Sequence, residues 1–132
     1  MLVVDASIAA CWLLPSEADR RADLALEQLS KDGGIAPDLW RHEMRNILLM
    51  QERRGRIDSA FSTRAFALLA QLPIRIDSSA DEAMTLALAR RHGLTAYDAA
   101  YLELALRQAC ALATLDTALA QAALAESVPV FA

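Results

Sequence analysis

The fold is decided by a strand–acid–helix unit that first occurs at residues 2–14, LVVDASIAACWLL. Its first residues, 2–4, are a short apolar run that ends at Asp5, which is typical of a buried strand. Residues 8–14 then read as a short helix, which Pro15 ends. The same alternation of short apolar runs and longer helical segments continues along the chain, and it predicts parallel strands joined by helical crossovers.

The remaining elements follow from the same pattern and from helix-capping residues. Short strands are expected at residues 35–36, 74–76, 111–115 and 128–131. Helices are expected at residues 16–31, 38–54, 58–72, 79–92, 95–108 and 117–125, with Ser16 and Ser79 opening two of them. The strands are uniformly apolar, which suits a sheet covered on both faces. The sequence therefore predicts the α/β class, with a three-layer α/β/α sandwich around a short parallel sheet, in a single domain spanning residues 1–132.

Composition limits the classes of function. The chain is 55% hydrophobic and 23% charged, which excludes a disordered protein, and its net charge of −4 argues against nucleic-acid binding through bulk positive charge. Four glycines form no phosphate-binding loop, and the two cysteines form no zinc motif. The start lacks a basic leader, and no apolar run approaches the roughly 18 residues of a membrane helix. We therefore expect a cytoplasmic protein without a membrane segment.

Four acids are expected to meet at one edge of the sheet. Asp5 and Asp116 each follow a predicted strand, and the carboxyl ends of parallel strands share one edge. Glu43 and Asp98 lie in the first two turns of helices that begin near that edge. Both share a helix face with apolar neighbours three or four residues away, so both are expected to point inward.

Carboxylates gathered in this way need protons or cations. Two carboxylates about 6 Å apart repel by roughly 3 kcal/mol at an effective dielectric near 20, and a helix N-terminus offsets only about 0.3–1 kcal/mol. Oxygen ligands with no Cys or His beside them favour Mg²⁺ or Mn²⁺. Because such ions polarise phosphoryl oxygens and activate water, the expected target is a phosphodiester.

Four motifs, taken in order, resemble the PIN-domain family and specifically its VapC-type toxin ribonucleases. They are VVDASI near the start, PDLWRHEMRN in the middle, LTAYDAAYLELA later and LATLD near the end, and together they cover nearly the whole chain. The resemblance implies a PIN-like fold and Mg²⁺- or Mn²⁺-dependent endonucleolytic cleavage of RNA by a metal-activated water. It also implies a toxin that forms a homodimer and is neutralised by a cognate VapB-type antitoxin.

The same resemblance assigns roles to individual residues. The implied catalytic residues are Asp5, Glu43, Asp98 and Asp116, with Asp5, Asp98 and Asp116 as metal ligands. The implied supporting residues are Ser7, Asn46, Thr95 and Thr114. From the sequence itself, Arg41 and Arg45 share one helix face and are weaker candidates for phosphate contacts, since most such charges only solvate a surface.

Plain structural roles remain open for the same residues. Asp5 could simply end a strand, and Asp98 and Asp116 could cap helices. Two other functions therefore stay open. A metal-dependent phosphatase or phospho-acceptor domain would use Asp5 as the nucleophile, although the only lysine, Lys31, lies in a polar helix end. A non-catalytic partner-binding domain would use the acids only as caps. The expected core or interface aromatics are Trp12, Trp40, Tyr97 and Tyr101.

Overall fold

The computed structural model of the protein describes residues 1–131. Its strands are β1 (Leu2–Val4), β2 (Gly34–Pro37), β3 (Ile74–Asp77) and β4 (Ala111–Ala113). They form one parallel sheet in the order β3-β2-β1-β4. Every residue of β1 and β2 is buried, so both faces of the central sheet are covered.

Helices supply the two covering layers. They are α1 (Ala6–Leu13), α2 (Arg20–Asp32), α3 (Leu39–Arg53), α4 (Ser59–Gln71), α5 (Glu82–His92), α6 (Ala96–Gln108) and α7 (Thr117–Ala125). Helix α6 packs on β1, β2 and β4, while α2 packs on β1. The predicted α/β sandwich with a short parallel sheet is confirmed. Among residues 1–131 we find no helix with the length and apolar character needed to pass through a bilayer.

Two predicted helix starts were wrong because a nearby aspartate caps the helix instead. The backbone N–H of Arg21 donates to the Asp19 carboxylate at 2.8 Å, so α2 begins at Arg20, while Ser16 lies in a separate short 3₁₀ helix, Pro15–Glu17. The N–H of Met84 likewise donates to Asp81 at 3.0 Å, two residues beyond the expected cap. Aspartate and serine are equally good N-cap residues, so composition alone does not choose between them.

The strand predicted at residues 128–131 forms only a single β-bridge within the described residues. Leu112 in β4 forms a parallel bridge with Val130, in which the N–H of Leu112 donates to the Pro129 carbonyl and the N–H of Phe131 donates to the Leu112 carbonyl. Pro129 has no N–H and cannot extend the ladder. The sheet order nevertheless places the ends of β1 and β4 side by side, with Val4 opposite Ala113, and this pairing positions the acidic edge.

Candidate active site

Asp5 lies directly after β1 and is 5% exposed. Its Oδ1 accepts hydrogen bonds from Ser7 Oγ at 2.6 Å and from the N–H of Ile8 at 3.2 Å, the second of which caps α1. Its Oδ2 accepts a hydrogen bond from Thr114 Oγ1. Both carboxylate oxygens are therefore held in place by donors from two separate parts of the chain.

Ser7 and Thr114 also tie the end of β1 to the loop after β4. The N–H of Leu115 donates to Ser7 Oγ at 3.0 Å, and the N–H of Asp116 donates to Thr114 Oγ1 at 3.0 Å. The same hydroxyl groups that orient Asp5 thus orient the backbone that presents Asp116. Asp116 is exposed and caps α7.

Glu43 lies in the second turn of α3 and is half-buried. Its Oε1 accepts a hydrogen bond of 2.5 Å from the hydroxyl of Tyr101, a residue of α6 that is 1% exposed. Sequence reasoning placed Tyr101 in the core or at an interface and missed this contact. The available signal was spacing: Tyr101 follows Asp98 by three residues on the same helix face.

Asp98 stands in the first turn of α6, where its own N–H donates to Thr95 Oγ1 at 3.1 Å. Thr95 is the N-cap of this helix. The predicted capping role and the predicted place at the acidic edge therefore coexist. We refer to Asp5, Glu43, Asp98 and Asp116 as the acidic cluster.

The members of the acidic cluster act on one another electrostatically. Burial raises the pKa of Asp5 above its usual value, the charge of Asp98 adds to that rise, and the hydrogen bonds to the carboxylate oppose it. Burial also raises the pKa of Glu43, against the hydrogen bond from Tyr101 and with the charges of Asp5 and Asp98. Burial also raises the pKa of Asp98, and the charge of Asp116 adds to that rise. Each of the four carboxylates is thus repelled by at least one other member of the acidic cluster.

The Tyr101 phenol is a neutral donor in this setting. Burial raises its pKa far above the usual value, and the hydrogen bond to Glu43 adds to the rise. The backbone of Ala6, the residue after Asp5, opposes part of that rise in pKa. The phenol therefore adjoins both α3 and the turn that carries Asp5.

The chemistry of the cluster suits a hard divalent cation. All its donor atoms are carboxylate oxygens, and the charged groups that shift the pKa values of Asp5, Glu43 and Asp98 are themselves carboxylates. The ion pairs found within residues 1–131 involve other side chains. No group of three or more His, Cys, Asp or Glu side chains in this described range is arranged to hold a metal ion as it stands. The donor set fits Mg²⁺ or Mn²⁺, but a shared ion would require side-chain adjustment.

The two predicted phosphate contacts lie away from the acidic cluster. The guanidinium of Arg45 sits 5.4 Å from the centre of the Phe66 ring, and Arg41 lines a cavity that Phe66 also lines. Each arginine is two residues from Glu43, which is about 200° around an α-helix. Asn46, one turn after Glu43, is exposed.

Another buried acid, which sequence reasoning did not single out, belongs to a separate ion-pair network. Glu103 is 2% exposed, and its Oε1 accepts a hydrogen bond from Arg107 Nε at 2.6 Å. Arg107 also pairs with Asp77 at 2.8 Å. The i, i+4 spacing of Glu103 and Arg107 was the available signal. Asp77, which also ends a strand, is thereby engaged away from the acidic cluster.

The fold and the edge together define an α/β protein with a carboxylate centre at the carboxyl ends of its parallel strands. Residues 2–124 match the model of the PIN domain, and the chain belongs to this family. The resemblance of its four ordered motifs is thereby confirmed.

Known relatives agree with this assignment. The chain is 32% identical over 128 residues to Ribonuclease VapC3 of Pyrobaculum aerophilum, covering 91% of this chain and 92% of that protein. Among solved structures, PAE2754 of the same organism superposes with a TM-score of 0.73 at 24% identity, over 92% of this chain and 84% of that one.

FitAcB of Neisseria gonorrhoeae has a TM-score of 0.72 at 19% identity, over 100% of this chain and 97% of that one. A toxin–antitoxin complex from Klebsiella pneumoniae has a TM-score of 0.63 at 18% identity, over 89% and 88%. At such identities, all three solved structures establish a shared fold.

Proposed function

We propose that the protein is a Mg²⁺- or Mn²⁺-dependent endoribonuclease, a hydrolase of RNA phosphodiester bonds, and the toxin of a VapBC-type pair. Membership of the PIN-domain family and the similarity to Ribonuclease VapC3 support the class of reaction. The observation that carries the proposal is the mutual repulsion of Asp5, Glu43 and Asp98 at one edge of the sheet, with no cationic side chain among the causes of their pKa shifts within residues 1–131.

Each member of the acidic cluster has a separate task in this proposal. Asp5, Asp98 and Asp116 would hold the ion, and Asp5 is oriented for it by hydrogen bonds to both carboxylate oxygens. The bound ion would supply polarisation of a phosphoryl oxygen and activation of a water. Glu43 would accept a proton from the attacking water. Its Oε1 is engaged by Tyr101, while Oε2 has no hydrogen-bond partner among residues 1–131.

Hydrolysis then makes a bond from the water oxygen to phosphorus and breaks the bond from phosphorus to the 3′ oxygen, which would take up a proton from solvent as it leaves. The products are a 5′-phosphate end and a 3′-hydroxyl end. The net charge of −4 disfavours tight binding to bulk RNA, so we expect recognition of a short exposed sequence or of a folded shape.

We also propose a cognate VapB-type antitoxin as partner, a homodimer as the active assembly, and one domain spanning residues 1–132. One structural relative supports the first idea, since it is a toxin–antitoxin complex. A dimer could combine arginines from two copies into a basic groove that one acidic chain lacks.

Cleavage of a structured RNA by the purified protein tests the central proposal. We expect cutting in Mg²⁺ or Mn²⁺, none in EDTA, and 5′-phosphate ends on the products. Asp5→Asn and Asp98→Asn should each abolish cutting while the fold is kept. Asp23→Asn, at an exposed aspartate of α2, is the matched control and should cut normally. Normal cutting by the first two variants, in preparations free of contaminating nuclease, would falsify the proposal.

A further inference from the structure

A single phenol connects the elements that carry three of the four acids. Tyr101 Oη donates to Glu43 Oε1 across 58 residues of sequence, which links α6 to α3. The same helix presents Asp98 one turn earlier. The backbone of Ala6, next to Asp5, also acts on the pKa of the phenol.

The Tyr101 ring is itself well fixed. It is 1% exposed and belongs to the main hydrophobic core, together with Leu102 on the same helix. A ring held in this way has little freedom to follow a moving carboxylate. The hydroxyl therefore acts as a fixed point to which Glu43 is attached.

Glu43 needs such a fixed point because its neighbours repel it. The charges of Asp5 and Asp98 both act on its carboxylate, and its side chain is long enough to turn toward water. Without the phenol, the described residues offer no other hydrogen bond to either Glu43 oxygen. The hydrogen bond is thus the one directional contact that keeps this carboxylate in the acidic cluster.

We propose that Tyr101 is a positioning residue, whose hydroxyl holds Glu43 Oε1 and so leaves Oε2 available to the reaction. This inference rests on the proposed metal-dependent cleavage of RNA. It adds a residue that acts through Glu43 and touches neither the RNA nor the ion.

Removal of one oxygen atom tests the proposal. Tyr101→Phe keeps the buried ring and deletes the hydroxyl. Loss of a group that orients a metal site commonly lowers metal affinity or activity by about 10–100-fold. We expect kcat for RNA cleavage to decrease by about the same factor. The KM for RNA should stay within about twofold, since the phenol does not contact substrate. The affinity for Mn²⁺, measured by calorimetry, should also weaken, because a Glu43 carboxylate that turns toward water carries its negative charge away from the ion.

Tyr97→Phe is the matched control. It deletes the same hydroxyl from the same helix, but Tyr97 is 67% exposed and its hydroxyl has no hydrogen-bond partner in the part of the chain that the structure describes. This variant should bind Mn²⁺ as tightly as the wild type. Thermal unfolding of both variants in EDTA shows whether either change has disturbed the fold.

A double-mutant cycle separates positioning from a general structural effect. In a Glu43→Gln background, Tyr101→Phe should change Mn²⁺ affinity no further. Equal losses in the two backgrounds, or wild-type kcat in Tyr101→Phe, would overturn the positioning role while leaving the nuclease proposal intact. Absence of both Mn²⁺ binding and RNA cleavage in the wild type would instead overturn the proposed function, and the role of Tyr101 with it.

Discussion

Asp98→Asn should stabilise the metal-free protein while removing its response to metal. The substitution keeps the shape of the side chain and deletes one charge from the acidic cluster. The charge of Asp98 contributes to the raised pKa values of Asp5 and Glu43. The charge of Asp116 in turn contributes to the raised pKa of Asp98. Three repulsive pairs are therefore relieved at once, whereas the backbone hydrogen bond to Thr95 remains available.

The size of the gain follows from Coulomb's law. Asp98 is only partly buried, so a dielectric of about 40 is appropriate, at which two charges about 7 Å apart repel by roughly 1 kcal/mol. Screening by salt and solvent reduces three such pairs to about 2 kcal/mol in total. For a protein of 132 residues this corresponds to a rise in Tm of about 6–10 °C. A wild-type protein at 100 times the Kd of its metal gains about 2.7 kcal/mol from binding, so the order of stabilities should reverse when Mn²⁺ is added.

Thermal unfolding followed by circular dichroism, in EDTA and across a Mn²⁺ titration, measures both effects. Asp58→Asn is the control, because it makes the same chemical change at the N-cap of α4, outside the acidic cluster. A Tm for Asp98→Asn below that of the wild type in EDTA would refute the reasoning. An undiminished rise in Tm with Mn²⁺ would refute it equally.

Three further outcomes are expected. Thr114→Val removes a buried donor to Asp5 and should lower the free energy of unfolding in urea by about 1–3 kcal/mol, with weaker Mn²⁺ binding in calorimetry. The hydrogen bonds from Arg107 hold the pKa of Asp77 below its usual value, so their stabilisation is complete above the unfolded-state pKa of about 4 and is lost as the pH falls. Urea unfolding between pH 6 and pH 3 should therefore show a weaker pH dependence for Asp77→Asn than for the wild type. Gly34→Ala places a methyl group 3.1 Å from the Leu2 carbonyl oxygen and into the Leu29 side chain, and should lower the urea midpoint by the equivalent of about 1–3 kcal/mol.

The positions of the acids could be predicted from local patterns. Asp5 and Asp116 follow short apolar runs, and the shared carboxyl edge of parallel strands is a general rule that needs no coordinates. Thr95 and Asp98 have the spacing of a helix start, which the structure retains. These patterns specify each strand or helix and the residue at which it begins or ends. A parallel sheet then brings the carboxyl ends of strands that are distant in sequence together.

The contacts that orient the acids could not be predicted in the same way. Periodicity places Tyr101 on a buried face, but it does not say which atom of a residue 58 positions away the hydroxyl meets. Spacing likewise puts Arg41 and Arg45 near Glu43 in sequence, whereas the guanidinium of Arg45 lies over the ring of Phe66 on α4. Such outcomes depend on the packing of neighbouring helices and not on one segment.

The hydrogen bonds that orient the acids of the acidic cluster also keep their charges close enough to repel one another. Asp5 is held by Ser7 and Thr114, and Glu43 is held by Tyr101, so neither carboxylate can swing into water without breaking hydrogen bonds. Freely moving acids would relax apart and would need to be gathered again by each arriving ion. Held acids carry their repulsion in the metal-free protein, so that part of the ordering entropy is already lost before an ion binds and the remaining side-chain adjustment follows. The stability lost in the metal-free protein is thus linked to metal affinity. A substitution that reduces repulsion in the acidic cluster should raise the stability of the metal-free protein and lower its affinity for metal.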